Sequence, residues 1–131
     1  MIGIDTSALI DLGKGNESIK QIIENLEEPI AFNRLSYLEL MFGINPENKA
    51  HKKEEDFYDT LFEESLCLEL NKESSKKATQ ILHELKKKGR PIELFDCIIA
   101  AIYLTNGVTS IITTNKKHFE NISGLKVISY I

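Results

Sequence analysis

The stretch ELFDCIIAAIYL, residues 93–104, is the most apolar in this chain. On a helical wheel residues 95–104 are apolar on nearly every side, so the helix they predict must be covered all round and central to the domain. Asp96 stands in its first turn, with Ile99, Ala100 and Tyr103 following at +3, +4 and +7. That spacing aims the carboxylate at the protein and not at bulk water. A carboxylate so placed costs several kcal/mol unless a charge or a metal compensates it.

Around this helix, strands and helices alternate. Residues 1–4 form a short apolar run with β-branched content, hence a strand; 30–32, 66–70, 110–113 and 126–129 predict four more. Thr6 or Ser7 can cap a short helix through Leu12, and Ile19, Ile22, Ile23 and Leu26 share one face of the next. Asn33 looks like an N-cap, and Leu35, Leu38, Glu39 and Phe42 follow at the spacing of an inward face. Residues 47–65 are highly charged, with Phe57, Tyr58, Leu61 and Phe62 late in the segment; they predict a helical arm. Asn71 caps a helix through Lys88 with Ala78, Ile81, Leu82 and Leu85 as its stripe, and Gly89 ends it. Strands separated by helices imply an α/β fold of three layers, α/β/α, with a mostly parallel central sheet in a single domain over residues 1–131. In such sheets ligands bind beyond the carboxyl ends of the strands. Asp5 lies at one such end; Thr113, Thr114 and Asn115 follow another.

Three acids therefore stand where burial is expected: Asp5, Glu39 and Asp96. If they converge within ~6 Å, each pair repels by roughly 3 kcal/mol at an effective dielectric of 20. A hard cation with oxygen ligands removes that penalty, and Mg²⁺ or Mn²⁺ suits a few carboxylates plus waters and phosphates. Each acid also has an ordinary reading. Asp5 can cap the helix after the first strand, Asp96 suits a helix N-terminus, and Glu39 can pair with Arg34 or Arg90. One metal site accounts for all three at once.

Composition bounds the rest. With 42% hydrophobic and 27% charged residues the chain is an ordinary globular one. No apolar run reaches the roughly 18 residues of a membrane span. The N-terminus lacks a signal-peptide pattern, and Cys67 and Cys97 belong to no metal or redox pair, so a cytoplasmic location with reduced thiols is expected. The net charge of −4 does not suggest a nucleic-acid binder. Charge is uneven, however: Lys76, Lys77, Lys86, Lys87, Lys88 and Arg90 face only Glu84 between residues 76 and 91, and Lys116 and Lys117 form a second basic pair. A solvated helix face explains Lys86 to Lys88; Arg90 and Lys116 suggest a phosphate-binding rim.

Four segments together carry a family resemblance: IDTSALIDL (4–12), LSYLELMFGI (35–44), KKKGRPIELFDCIIAAIYL (86–104) and IITTNKKHFENISGLKVISY (111–130). In this order the chain resembles the PIN-domain nucleases, particularly VapC-type toxins of prokaryotic toxin–antitoxin pairs. The resemblance implies an acidic pocket binding Mg²⁺ or Mn²⁺ and endoribonuclease cleavage of structured RNA, often tRNA or rRNA. It also implies a small antitoxin partner and a homodimer. Asp5, Glu39 and Asp96 match the family's three metal-site acids, and Thr6 or Ser7 matches a small polar position beside them. The fourth acidic position falls within TTNKKHF, which holds no acid: Asn115 and His118 stand there instead.

The resulting expectation is phosphodiester hydrolysis, with Asp5, Glu39, Asp96 and Asn115 in the catalytic pocket. Thr6, Ser7, Lys87, Arg90, Thr114 and Lys116 would bind substrate, and Tyr37 or Phe42 could stack an unpaired base. A PIN-fold processing nuclease without toxicity, or a metal- or RNA-binding module that lost turnover through Asn115, are the alternatives. A phosphoacceptor signalling domain ranks lower, because Asn71 and not an aspartate follows residues 66–70.

Overall fold

A computed structural model describes residues 1–130. The described residues form a parallel sheet of five strands: β1 (Ile2–Ile4), β2 (Ile30–Asn33), β3 (Leu66–Leu68), β4 (Ser110–Ile112) and β5 (Lys126–Ile128), in the order β3-β2-β1-β4-β5. Seven helices cover it: α1 (Thr6–Gly13), α2 (Glu17–Asn25), α3 (Arg34–Phe42), α4 (Lys49–Glu63), α5 (Lys72–Lys87), α6 (Leu94–Thr105) and α7 (Lys116–Phe119). This is the three-layer α/β architecture that the alternation predicts. The short α7 falls in a segment for which the sequence predicts no element, because Lys116 to His118 supply none of the apolar spacing that marks a helix.

The strands divide their side chains between two cores, as a period of two requires. Ile2, Ile4, Phe32 and Ile112 face α1, α2 and α4, with Leu9, Ile19, Tyr58 and Phe62. Ala31 and Ile111 face the other way, onto Ala78, Ile81 and Leu85 of α5 and the apolar length of α6. Residues 97 and 99–103 of α6 are all buried, so the helix is central as its composition demands. Gly3 lies on the same side, and a Cβ there would meet the Tyr103 ring at 2.7 to 2.9 Å. The absent side chain lets α6 lie directly on the middle strand.

The Tyr103 hydroxyl uses that close approach. It accepts hydrogen bonds from Ile4 N (3.1 Å) and Asn33 Nδ2 (2.9 Å), and its proton faces the carbonyls of Ile4 (2.6 Å) and Ala31 (3.0 Å). A phenol has one proton and two lone pairs, so a single buried group ties β1, β2 and the N-cap of α3 to α6.

Two parts of the sequence reading need correction. Leu38 and Phe42 do not face inward: they are 41% and 69% exposed. Leu35, Ser36 and Leu40 form the buried face of α3 instead. Its apolar residues run round most of the helix, so spacing alone selects no face, and the Asn33 cap fixes its rotation. Nor is α4 a free arm. Its later half packs through Tyr58 and Phe62, with the Phe62 ring edge-on to Phe32 at 4.9 Å.

Tyr103→Phe keeps the ring and removes the hydroxyl. It is expected to lower unfolding free energy by about 1–3 kcal/mol, the cost of stranding buried polar partners. Urea denaturation checks this; an unchanged midpoint would show that the hydroxyl bonds carry no net stability.

Candidate active site

Asp5 leaves the carboxyl end of β1 and caps α1, so the cap is Asp5 and not Thr6 or Ser7. Its Oδ1 accepts from Ala8 N (3.0 Å) and the Ser7 hydroxyl (2.7 Å), and its Oδ2 accepts from the Thr113 hydroxyl (2.6 Å). Thr113 follows β4, the neighbour of β1 on the opposite side from β2. The pair therefore stands where the order of connections reverses, the crevice in which parallel sheets bind ligands.

Glu39 enters from α3, half-buried. The Thr6 hydroxyl donates to its Oε1 at 2.8 Å and lies 3.0 Å from the Ser36 hydroxyl. Arg34 pairs with Glu69 instead (2.9 Å), so the alternative reading of Glu39 as an Arg34 partner is excluded. Asp96 comes from the first turn of α6, and His118 Nδ1 lies 2.8 Å from its Oδ2. His118 is thus the neighbour that orients Asp96.

Asp5, Glu39, Asp96 and His118 line one open pocket of about 670 Å³, together with Asn115 and Glu93. Glu93 is an acid that the sequence reading passed over. The available signal was its place three residues before Asp96, at a helix start where Ser, Asn or Asp is usual. Thr114 and Lys116 line an adjoining cavity of about 530 Å³ that shares Asn115 and His118. Lys87 and Arg90 line neither; they stand exposed at and beyond the end of α5. Tyr37 is also away from the acids, its hydroxyl donating to Asp59 at 2.6 Å. Beside the pocket, and sharing Ile10 and Glu39 with it, runs a groove between α1, α3 and α4 that includes Leu40, Phe57 and Tyr58.

Burial pushes the carboxyls of Asp5, Glu39 and Asp96 above the usual carboxylate range. The Thr113, Ala8 and Ser7 donors pull Asp5 back down, Thr6 does so for Glu39, and His118 for Asp96. The acids also repel: Asp96 raises Asp5, and both raise Glu39. Among the described residues no three acid or histidine side chains converge tightly enough to hold one ion as they stand. The donor chemistry nonetheless fits a hard divalent cation: the acids offer only oxygen, and mutual repulsion is what such an ion relieves.

The PIN-domain family model matches residues 2–125. This chain belongs to the PIN-domain family. Among solved structures, VapBC2 of Rickettsia felis, bound to a DNA fragment from its promoter, is similar over 100% of both chains, with a TM-score of 0.86 and 21% identity. VapBC-1 of nontypeable Haemophilus influenzae covers 99% of this chain and 98% of its own, at a TM-score of 0.81 and 26% identity. Mycobacterium tuberculosis VapC20, a sarcin-ricin loop cleaving toxin, shares the fold at a TM-score of 0.68 and 12% identity, over 96% of this chain and 99% of its own. No curated protein matches the chain in sequence. Within this PIN domain, Asn115 brings a neutral side-chain amide to the pocket, and its backbone N–H donates to the Thr113 hydroxyl at 2.9 Å.

The raised carboxyl of Glu39 predicts a pH dependence. Its folded-state value lies above its unfolded one, so its contribution to stability is present below about pH 4 and is lost as pH rises through the folded value. Glu39→Gln keeps the acceptor for Thr6 and removes the charge. In EDTA, its melting temperature is expected to gain on that of the wild type as pH rises from 4 to 7. A gap that moves the other way in thermal melts would show that the Glu39 charge is stabilised, not strained.

Proposed function

We propose that this PIN domain is a metal-dependent endoribonuclease that hydrolyses phosphodiester bonds in structured RNA, as the toxin of a VapBC-type pair. The observation that carries the reading is the delivery of Asp5, Glu39 and Asp96, from three separate elements, into one pocket at the switch point of the sheet. Asp5, Asp96 and Glu39 would hold Mg²⁺ or Mn²⁺. When bound, the ion supplies a Lewis acid for a phosphoryl oxygen and lowers the pKa of a bound water.

The surrounding residues prepare those acids. The Ser7 and Thr113 hydroxyls fix the carboxylate plane of Asp5, and His118 selects the rotamer of Asp96. Thr6 holds Glu39 at the pocket wall. Lys116, on the adjoining rim with Thr114, is placed to receive backbone phosphates, which gives affinity and not sequence choice. Lys87 and Arg90 are far enough round to serve only in capture of a longer RNA.

A restrained toxin needs a partner. A similar structure from Klebsiella pneumoniae is a toxin–antitoxin complex, and one from Mycobacterium tuberculosis, VapBC-5, belongs to the VapBC family of toxin–antitoxin systems. For this chain, the groove bearing Leu40, Phe57 and Tyr58 offers an amphipathic helix of a small antitoxin a surface that opens next to Glu39. A second copy of the chain is the other expected partner. Among the described residues, no helix is long and apolar enough to cross a membrane.

Purified, antitoxin-free protein incubated with total cellular RNA and Mn²⁺ is expected to produce discrete new RNA ends, mapped by sequencing. EDTA is expected to abolish them. Asp5→Asn is expected to reduce them about a hundredfold or more, since loss of mere supporting partners at a metal site already costs 10–100-fold. Intact RNA after exposure to folded protein that binds Mn²⁺ would overturn the nuclease reading in favour of a binding module.

A further inference from the structure

Among the described helices of eight residues or more, Asp5, Asn16, Asn33, Asn48 and Asn71 each cap their helix through the side chain, and only α6 does not; the four-residue α7 also starts without such a bond. Glu93 occupies the same position at the start of α6 and makes no side-chain cap hydrogen bond. The longer side chain forgoes a contact commonly worth about 1 kcal/mol. Among the described residues its carboxylate has no ion-pair partner either. It lies instead on the wall of the pocket that holds Asp5, Glu39 and Asp96, three residues before Asp96 on the same turn. There it sets a second carboxylate one helical turn from Asp96, and like charges at that spacing repel. A position that gives up a cap and adds repulsion has a use outside folding.

We propose that Glu93 is a fourth acidic donor to the divalent cation of this pocket, whose wall also carries the neutral amide of Asn115. The inference rests on the metal reading of the pocket given above. A glutamate is long enough to reach inward from the helix start, directly or through one metal-bound water. Because Glu93 is exposed, it can adopt that position without disturbing the packing of α6. Outer partners of metal sites, like inner ones, set affinity.

The test is Mn²⁺ titration of the full chain by calorimetry, alongside thermal melting of the metal-free proteins. Glu93→Gln is expected to weaken Mn²⁺ binding about tenfold without lowering the melt of the metal-free protein. Glu93→Asn supplies a normal cap, so it is expected to melt higher than the wild type while binding Mn²⁺ as weakly as the glutamine variant. Asn115→Asp added to Glu93→Gln is expected to restore affinity. Wild-type affinity within twofold in both Glu93 variants, with binding lost in Asp5→Asn, would overturn the role of Glu93 and leave the metal site standing. No Mn²⁺ binding by the wild type itself would overturn the metal reading and this proposal together.

Discussion

The Tyr103 hydroxyl fills every hydrogen-bonding position it has, deep between the sheet and α6, and the acid pocket inherits its geometry from that point. Asn33 Nδ2 reaches the phenol at 2.9 Å and the Ser36 hydroxyl at 2.9 Å; Ser36 lies 3.0 Å from Thr6, and Thr6 donates to Glu39. Asn33 Oδ1 meanwhile caps α3 at Ser36 N, 2.8 Å away. The rotation of α3, and so the position of Glu39, is thereby referred to the middle strand. The ring can lie there only because residue 3 has no Cβ. One glycine, one phenol and one asparagine align three elements before any metal or substrate enters.

The same economy governs Asp5. It ends β1, caps α1 and accepts from a residue beyond β4, so the carboxylate is stabilised by donors while the sheet places it. Burial still raises its pKa. The pocket as a whole is under electrostatic tension, with Asp5, Glu39 and Asp96 each pushed toward protonation and Glu93 adding charge at the mouth. Such tension disfavours the empty pocket, and a bound cation would relieve it. The net charge of −4 and the local chemistry point in different directions because the basic residues are gathered elsewhere, at the end of α5 and at Lys116 and Lys117.

Much of this was legible in the chain itself. Alternating apolar runs and helical stripes fixed the α/β class, and Asn33 and Asn71 marked helix starts because their side chains suit no interior position so well. The all-round apolar character of α6 marked the central helix, and Asp96 within it marked the pocket. These features are local: each depends on residues within one or two turns of each other. The sequence also determined that residues 113–119 bring no carboxylate to the pocket, since no folding can supply one.

Tertiary structure alone decided the rest. It turned Leu38 and Phe42 outward, because a nine-residue helix with apolar residues round most of its surface takes its orientation from its cap and neighbours. It joined His118 to Asp96 and Thr113 to Asp5 across 22 and 108 residues, and it set Glu93 in the acid pocket. It left Lys87 and Arg90 outside. Hydrophobic periodicity reports which side of an element meets water, but not which polar groups from distant elements meet one another. That depends on strand order, here β3-β2-β1-β4-β5, which brings the ends of β1 and β4 together only after the chain has crossed the sheet.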